Sequence, residues 1–165
     1  MAEKVWKAAK GAMFNDEQAQ VYGEAIDALA ERTGQVTPQD VVDEAAKKTS
    51  RLHGYFEWSD DAAAMLYRRQ QAREMLGHLR IVLVIVGDDE PQEVKAFFNV
   101  SKTEEEVVRR GYVTVEAVCR DEDYLEQVIA EALAQLRTFR ARYAEVKALR
   151  PVFDAIHEVE ASLTT

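Results

Sequence analysis

The last third of the chain limits its fold more than any other stretch. From Asp121 onward the pattern is helical for ~40 residues. Leu125, Ile129, Ala132, Leu136, Phe139, Tyr143 and Val146 recur at alternating spacings of four and three, a three-heptad seam. Asp121, Glu122 and Asp123 place acid at the start, where the helix dipole favours it. Val128 and Leu133 widen the apolar face beyond a narrow coiled-coil stripe, as expected for a helix laid on a sheet. Pro151 should break or kink this helix, because proline removes a hydrogen bond and clashes with the preceding turn. Beyond it, Val152, Phe153, Ile156 and Val159 form another apolar face, predicting a final helix that folds back or pairs with another subunit.

A helix of this width needs a sheet to cover, and the composition changes at Arg80 to supply one. Ile81–Val86 is a β-branched run closed by the turn cluster Gly87–Pro91. Val94–Val100 reads as a second strand, and Gly111–Val118, which alternates in character, as a third. Ser101–Arg110 is polar and reads as a short helix or a connector. The fold class expected is α+β, with a helical amino half followed by a small antiparallel three-stranded sheet packed against the long C-terminal helix. The domain boundary falls between residues 79 and 80 on this reading.

The amino half opens with Val5, Trp6, Ala8, Ala9, Ala12, Met13 and Phe14, a weakly amphipathic helix or docking arm in which Trp6 anchors the terminus. Asn15, Asp16 and Glu17 supply cap-like chemistry for a helix from about Asp16 to Arg32, and Gly34 closes it. Thr37-Pro38-Gln39-Asp40 is a second start signal. Thr37 can cap, Pro38 suits the first helical position, and Asp40 favours the dipole at the third. The short glycine-containing turn between these helices makes the half helix-turn-helix-like. Leu52, Tyr55, Phe56 and Trp58 then form an aromatic plug interrupted by Gly54. Ser59, Asp60 and Asp61 cap a third helix running to about Leu79. Its inner face should carry Ala62, Met65, Leu66, Ala72, Met75, Leu76 and Leu79, with Arg68, Arg69, Gln70 and Arg73 outside.

A formal net charge of −9 excludes a generally polyanion-binding surface, since phosphate neutralisation dominates nucleic-acid affinity. The span from Thr37 to Arg80 is nevertheless neutral. Lys47, Lys48, Arg51, Arg68, Arg69, Arg73 and Arg80 balance Asp40, Asp43, Glu44, Glu57, Asp60, Asp61 and Glu74. The first six of those cations are the candidate DNA-contacting set. Leu125, Ile129, Leu136, Phe139, Tyr143 and Val146 are the candidate self-association set. His53, His78 and His157 lack a second ligand at metal-binding spacing, so no metal or cofactor is expected. No phosphate-cradling or nucleophile motif occurs. Lone Cys119 has no nameable catalytic partner, and the carboxylate runs Glu104–Glu106 and Asp121–Asp123 read as solvated faces or helix starts. The chain is therefore read as non-enzymatic. With no membrane-length apolar run, no secretory leader pattern and a single cysteine, it is expected in the cytoplasm.

The residues Leu52, His53, Phe56, Glu57, Trp58, Tyr67, Arg68, Gln71, Ala72 and Arg73, with Thr37–Ala45 upstream, resemble a module of uncharacterised phage and prophage proteins. The segment from Arg110 to Leu149 resembles the carboxyl half of the same proteins. The likeness covers about two-thirds of the chain, transfers no activity, and implies a phage setting in the host-cell cytoplasm. Two functions follow as expectations. The first is a DNA-binding accessory protein for regulation, recombination or packaging, acting as an oligomer that adds up a weak patch. The second is an acidic protein-interaction or assembly module, including an inhibitor of a host protein.

Overall fold

The computed structural model describes residues 4–58, 62–83, 90–104 and 107–163. The Ser59–Asp61 cap, the residues of Val84–Val86 and most of the following turn, and Glu105 and Glu106 lie outside these. The chain divides into two compact units, Met1–Val118 and Cys119–Thr165. The fold is α+β, with N-terminal helices, a three-stranded antiparallel sheet and a long C-terminal helix.

The first unit begins with a correction. Residues Val5–Ala8 are a strand, β1, rather than a helix. It pairs antiparallel with β2 (Leu79–Leu83), Trp6 opposite Ile81, and β2 pairs with β3 (Gln92–Lys95). Helix α1 (Asp16–Thr33) runs beside β1 and β2. Its Gln20 side chain accepts from the Trp6 amide at 2.9 Å and donates to the Lys4 carbonyl at 2.9 Å, occupying the free edge of β1. Trp6 lies stacked on Phe97 with ring centroids 5.7 Å apart. Its bed is Gly23, where any Cβ would overlap the indole ring. This long-range pairing places residues 5–8 and 79–83 in one core, so the unit boundary falls at 118 instead of 79.

Both helix starts are built as the sequence suggests. Asn15 and Gln18 form a reciprocal capping box on α1, which ends at Gly34 with φ 74°. Thr37 and Asp40 form another on α2 (Pro38–Ala46), with Pro38 in the first turn. Between them, Val36 exchanges backbone hydrogen bonds with Tyr112, tying the helix-to-helix turn to a strand. The aromatic plug is present as a single 3₁₀ turn, His53–Tyr55, with Leu52 and Phe56 buried. Tyr55 touches Phe14, Tyr22 and Phe56. Burial pushes its phenol up to about 12, with help from the Glu74 charge.

Helix α3 (Ala62–His78) runs directly into β2. Its buried line is Ala64, Ala72, Met75 and Leu76, with Arg68 and Gln71 half-buried along it. Met65 and Leu66, expected inside, are exposed, because i, i+4, i+7 and i+8 counted from Ala64 select Arg68 in their place. The strand expected over 94–100 is two strands broken at buried Ala96. There the chain leaves β3 and starts β4 (Phe97–Glu104). β4 pairs with β5 (Val107–Thr114) as a separate two-stranded ribbon, Phe97 opposite Thr114. The described residues of the expected connector 101–110 are therefore strand. The expected third strand instead stops at Thr114, whose hydroxyl accepts the Ala117 amide at 3.2 Å and opens the short helix α4 (Val115–Arg120). Within this unit α1 layers onto the sheet, and its buried residues include Ala19, Tyr22, Ile26 and Leu29.

The second unit holds α5 (Glu122–Arg142) and α6 (Arg150–Leu163), joined by a turn and a 3₁₀ segment, Lys147–Leu149. Asp121 caps α5 through the Tyr124 amide at 3.2 Å. The long helix ends at Arg142, well ahead of Pro151, and that proline sits in the first turn of α6, where it costs no hydrogen bond. The cause is tertiary. Only a chain that has already turned can bring Glu160 to Arg137, and Phe153 to Phe139 with centroids 6.3 Å apart.

Candidate association surface

The six candidate DNA-contacting cations are dispersed. Lys47 meets Glu44 at 2.8 Å, and Arg32 joins the same carboxylate at 3.1 Å. The Lys47 hydrogen bond, against some burial, holds Glu44 below the usual carboxylate range. Arg51 forms an ion pair with Glu24 on α1. Arg68 lies over the Trp58 ring at 5.0 Å, and its Nε donates to the Glu57 carbonyl at 2.6 Å. Trp58 in turn stacks on His53 at 4.9 Å and donates Nε1–H to the His53 carbonyl. His53 Nδ1 lies 2.8 Å from the Ala45 carbonyl, an oxygen that can only accept, so this nitrogen carries the proton. Arg68 is thus the outer layer of the aromatic plug. Arg69 donates to Gln39 at 2.7 Å, at the opposite end of α2 from Lys47. Lys48 and Arg73 are exposed without partners among the described residues. The intervening α2 carries Asp40, Asp43 and Glu44 and no cation. The structure does not bring the six together on one face.

The remaining candidates show no assembled chemistry. Cys119 is exposed, and among the described residues no group of three His, Cys, Asp or Glu side chains could hold a metal ion. Nor is any described helix long and apolar enough to cross a membrane.

The self-association candidates do share one place, the second unit. Leu125, Leu136, Phe139, Tyr143 and Val146 lie between 37% and 43% exposed, while Ile129 is half-buried. α6 adds exposed Val152, Val159 and Leu163. Tyr124 and Ile156 are the apolar residues of this unit below a tenth exposed. The α5–α6 contact uses one strip of each helix. Arg137 and Arg140 meet Glu160, whose carboxyl the Arg137 hydrogen bond holds below its usual range, and Phe153 meets Phe139. Beside that strip, an open groove of about 540 Å³ runs along α5, lined by Glu131, Ala134, Gln135, Thr138, Phe139, Arg142 and Tyr143. Sequence reasoning missed its polar members. The signal was present: Glu131, Gln135, Thr138 and Arg142 recur at i, i+4, i+7 and i+11, the spacing of one helix face.

No family model matches the chain, and neither a curated protein nor a solved structure is similar to it.

Proposed function

We propose that the protein is a non-enzymatic assembly module that associates through its C-terminal helical hairpin. It thereby carries the Met1–Val118 unit in more than one copy. The observation behind this reading is the partly exposed apolar line from Leu125 to Val146, continued by Val152, Val159 and Leu163 on α6. Two helices bury one strip each, and a helical hairpin this small needs a further apolar neighbour to offset its ordering cost. The net charge of −9 suits a basic protein partner for the assembled particle. The resemblance around Leu52–Arg73 suggests a phage or prophage setting.

The experiment is a solution mass by light scattering, with reductant present so that exposed Cys119 cannot join chains. The full chain exceeds one chain's mass, and Leu136→Glu combined with Phe139→Glu returns it to one chain with its circular dichroism intact. A full chain that is monomeric throughout overturns the reading.

DNA contact ranks second, and the observation in its favour is that exposed Lys48 and Arg73 lack partners among the described residues. A gel shift at two salt concentrations decides it. Retardation that falls steeply with salt and is lost in the Arg69→Ala, Arg73→Ala pair, yet kept in Arg142→Ala, would restore that reading.

A further inference from the structure

The α5 groove carries its own complement. Arg137 and Arg140 are turned to Glu160 of α6, while Glu131, Gln135, Thr138 and Arg142 lie on the other side of the same helix, with Phe139 at the groove's margin against Phe153 of α6. Along the groove the acid lies at the N-terminal end and the base at the C-terminal end. The whole helix repeats this polarity. Glu122, Asp123, Glu126 and Glu131 occupy its first half, and Arg137, Arg140 and Arg142 its second. Glu131 touches only Gln135 on its own helix, at 3.2 Å, and Arg142 has no partner among the described residues.

We infer that this groove docks the same groove of a second copy, antiparallel, about a two-fold axis midway between the levels of Gln135 and Thr138. The inference rests on the association reading above and names the partner surface and its stoichiometry.

A two-fold perpendicular to α5 keeps each flank of the helix on its own side and reverses direction. One flank then sets Glu131 against the second copy's Arg142, twice over by symmetry. Gln135 and Thr138, an amide and a hydroxyl able to hydrogen-bond each other, meet in the middle. A parallel pairing would instead put Glu131 on Glu131 and Arg142 on Arg142, like charge on like. The antiparallel arrangement is isologous, so this contact closes at two chains.

The test is charge reversal with rescue, read as the dimer dissociation constant by sedimentation of the full chain in reductant. Glu131→Arg alone and Arg142→Glu alone each weaken the dimer by about tenfold or more, since two attractions become two repulsions. The double reversal restores it to within about threefold. Circular dichroism of each variant confirms that α5 stays helical. Two-chain protein with both single reversals unaffected overturns the antiparallel docking but leaves association standing. Single reversals that weaken without rescue, or a particle of more than two chains, overturn it as well. A wild-type chain monomeric at every concentration overturns both this inference and the association reading.

Discussion

The two units solve the same problem in opposite ways. In Met1–Val118, most of the described apolar positions meet an internal partner, with Met65 and Leu66 exposed. α1 covers the sheet, α2 meets α3, and Trp6 fills the space that Gly23 leaves open. In Cys119–Thr165 the most regular apolar line of the chain meets α6 through Phe139 and stays 37–43% exposed at Leu125, Leu136, Phe139, Tyr143 and Val146. A heptad seam reports that a face will be covered. It does not report by what. Where a chain provides several layers, the face is buried internally; where it provides one hairpin, the face stays partly exposed.

The largest test of this contrast pairs two aromatic deletions. Phe97→Ala empties a fully buried site beneath Trp6 and should cost about 3–5 kcal/mol in denaturant unfolding, independent of protein concentration. Phe139→Ala should leave the unfolding of the first unit unchanged and act only within the second, on association and on the ring contact with Phe153. Equal losses from both would erase the distinction. A smaller effect is expected at Gly23→Ala. The new methyl must displace the Trp6 ring and should cost about 1–3 kcal/mol, even though alanine favours the helix. A stabilised variant would show that the close packing of Trp6 on α1 is wrong.

Alkaline titration probes the same core. Tyr55 has its folded pKa raised to about 12 against an ordinary value of 10.0, so the folded state holds its proton longer than the unfolded chain. That contribution to stability is complete below pH 10 and is lost as pH rises from 10.0 towards about 12. Tyr55→Phe should flatten the stability curve across that window, read by melting at stepped pH with phenolate absorbance. An unchanged slope would place Tyr55 in water. Smallest is Thr37→Ala, which breaks the reciprocal cap with Asp40 and should cost about 1 kcal/mol in the first unit, with no effect on association.

What the sequence made legible follows from the range of the interactions involved. The caps at Asn15 and Thr37, the stop at Gly34 and the aromatic plug are set within a few residues, and each is built as read. β1 was illegible because its reason for being a strand is Ile81, far along the chain, together with a glycine on α1 that admits Trp6. The break at Ala96 was hidden for a similar cause, since its amide and carbonyl serve Leu79 and Val115. Arg68 looked like an outer-face cation, yet the helical count from Ala64 places it against Trp58. In the candidate surface, the apolar seam was visible as a pattern. The end of α5 at Arg142 and the division of its faces between α6 and the open groove needed the position of α6.

The most direct measurement is the mass of the intact chain in solution across a dilution series, in reductant. Closed association through the α5 face predicts twice the 18.7 kDa of one chain at high concentration, falling to one chain on dilution and in the Leu136→Glu, Phe139→Glu variant. A mass of 18.7 kDa maintained up to about 100 μM would contradict it, because a face built to be covered would then stand uncovered.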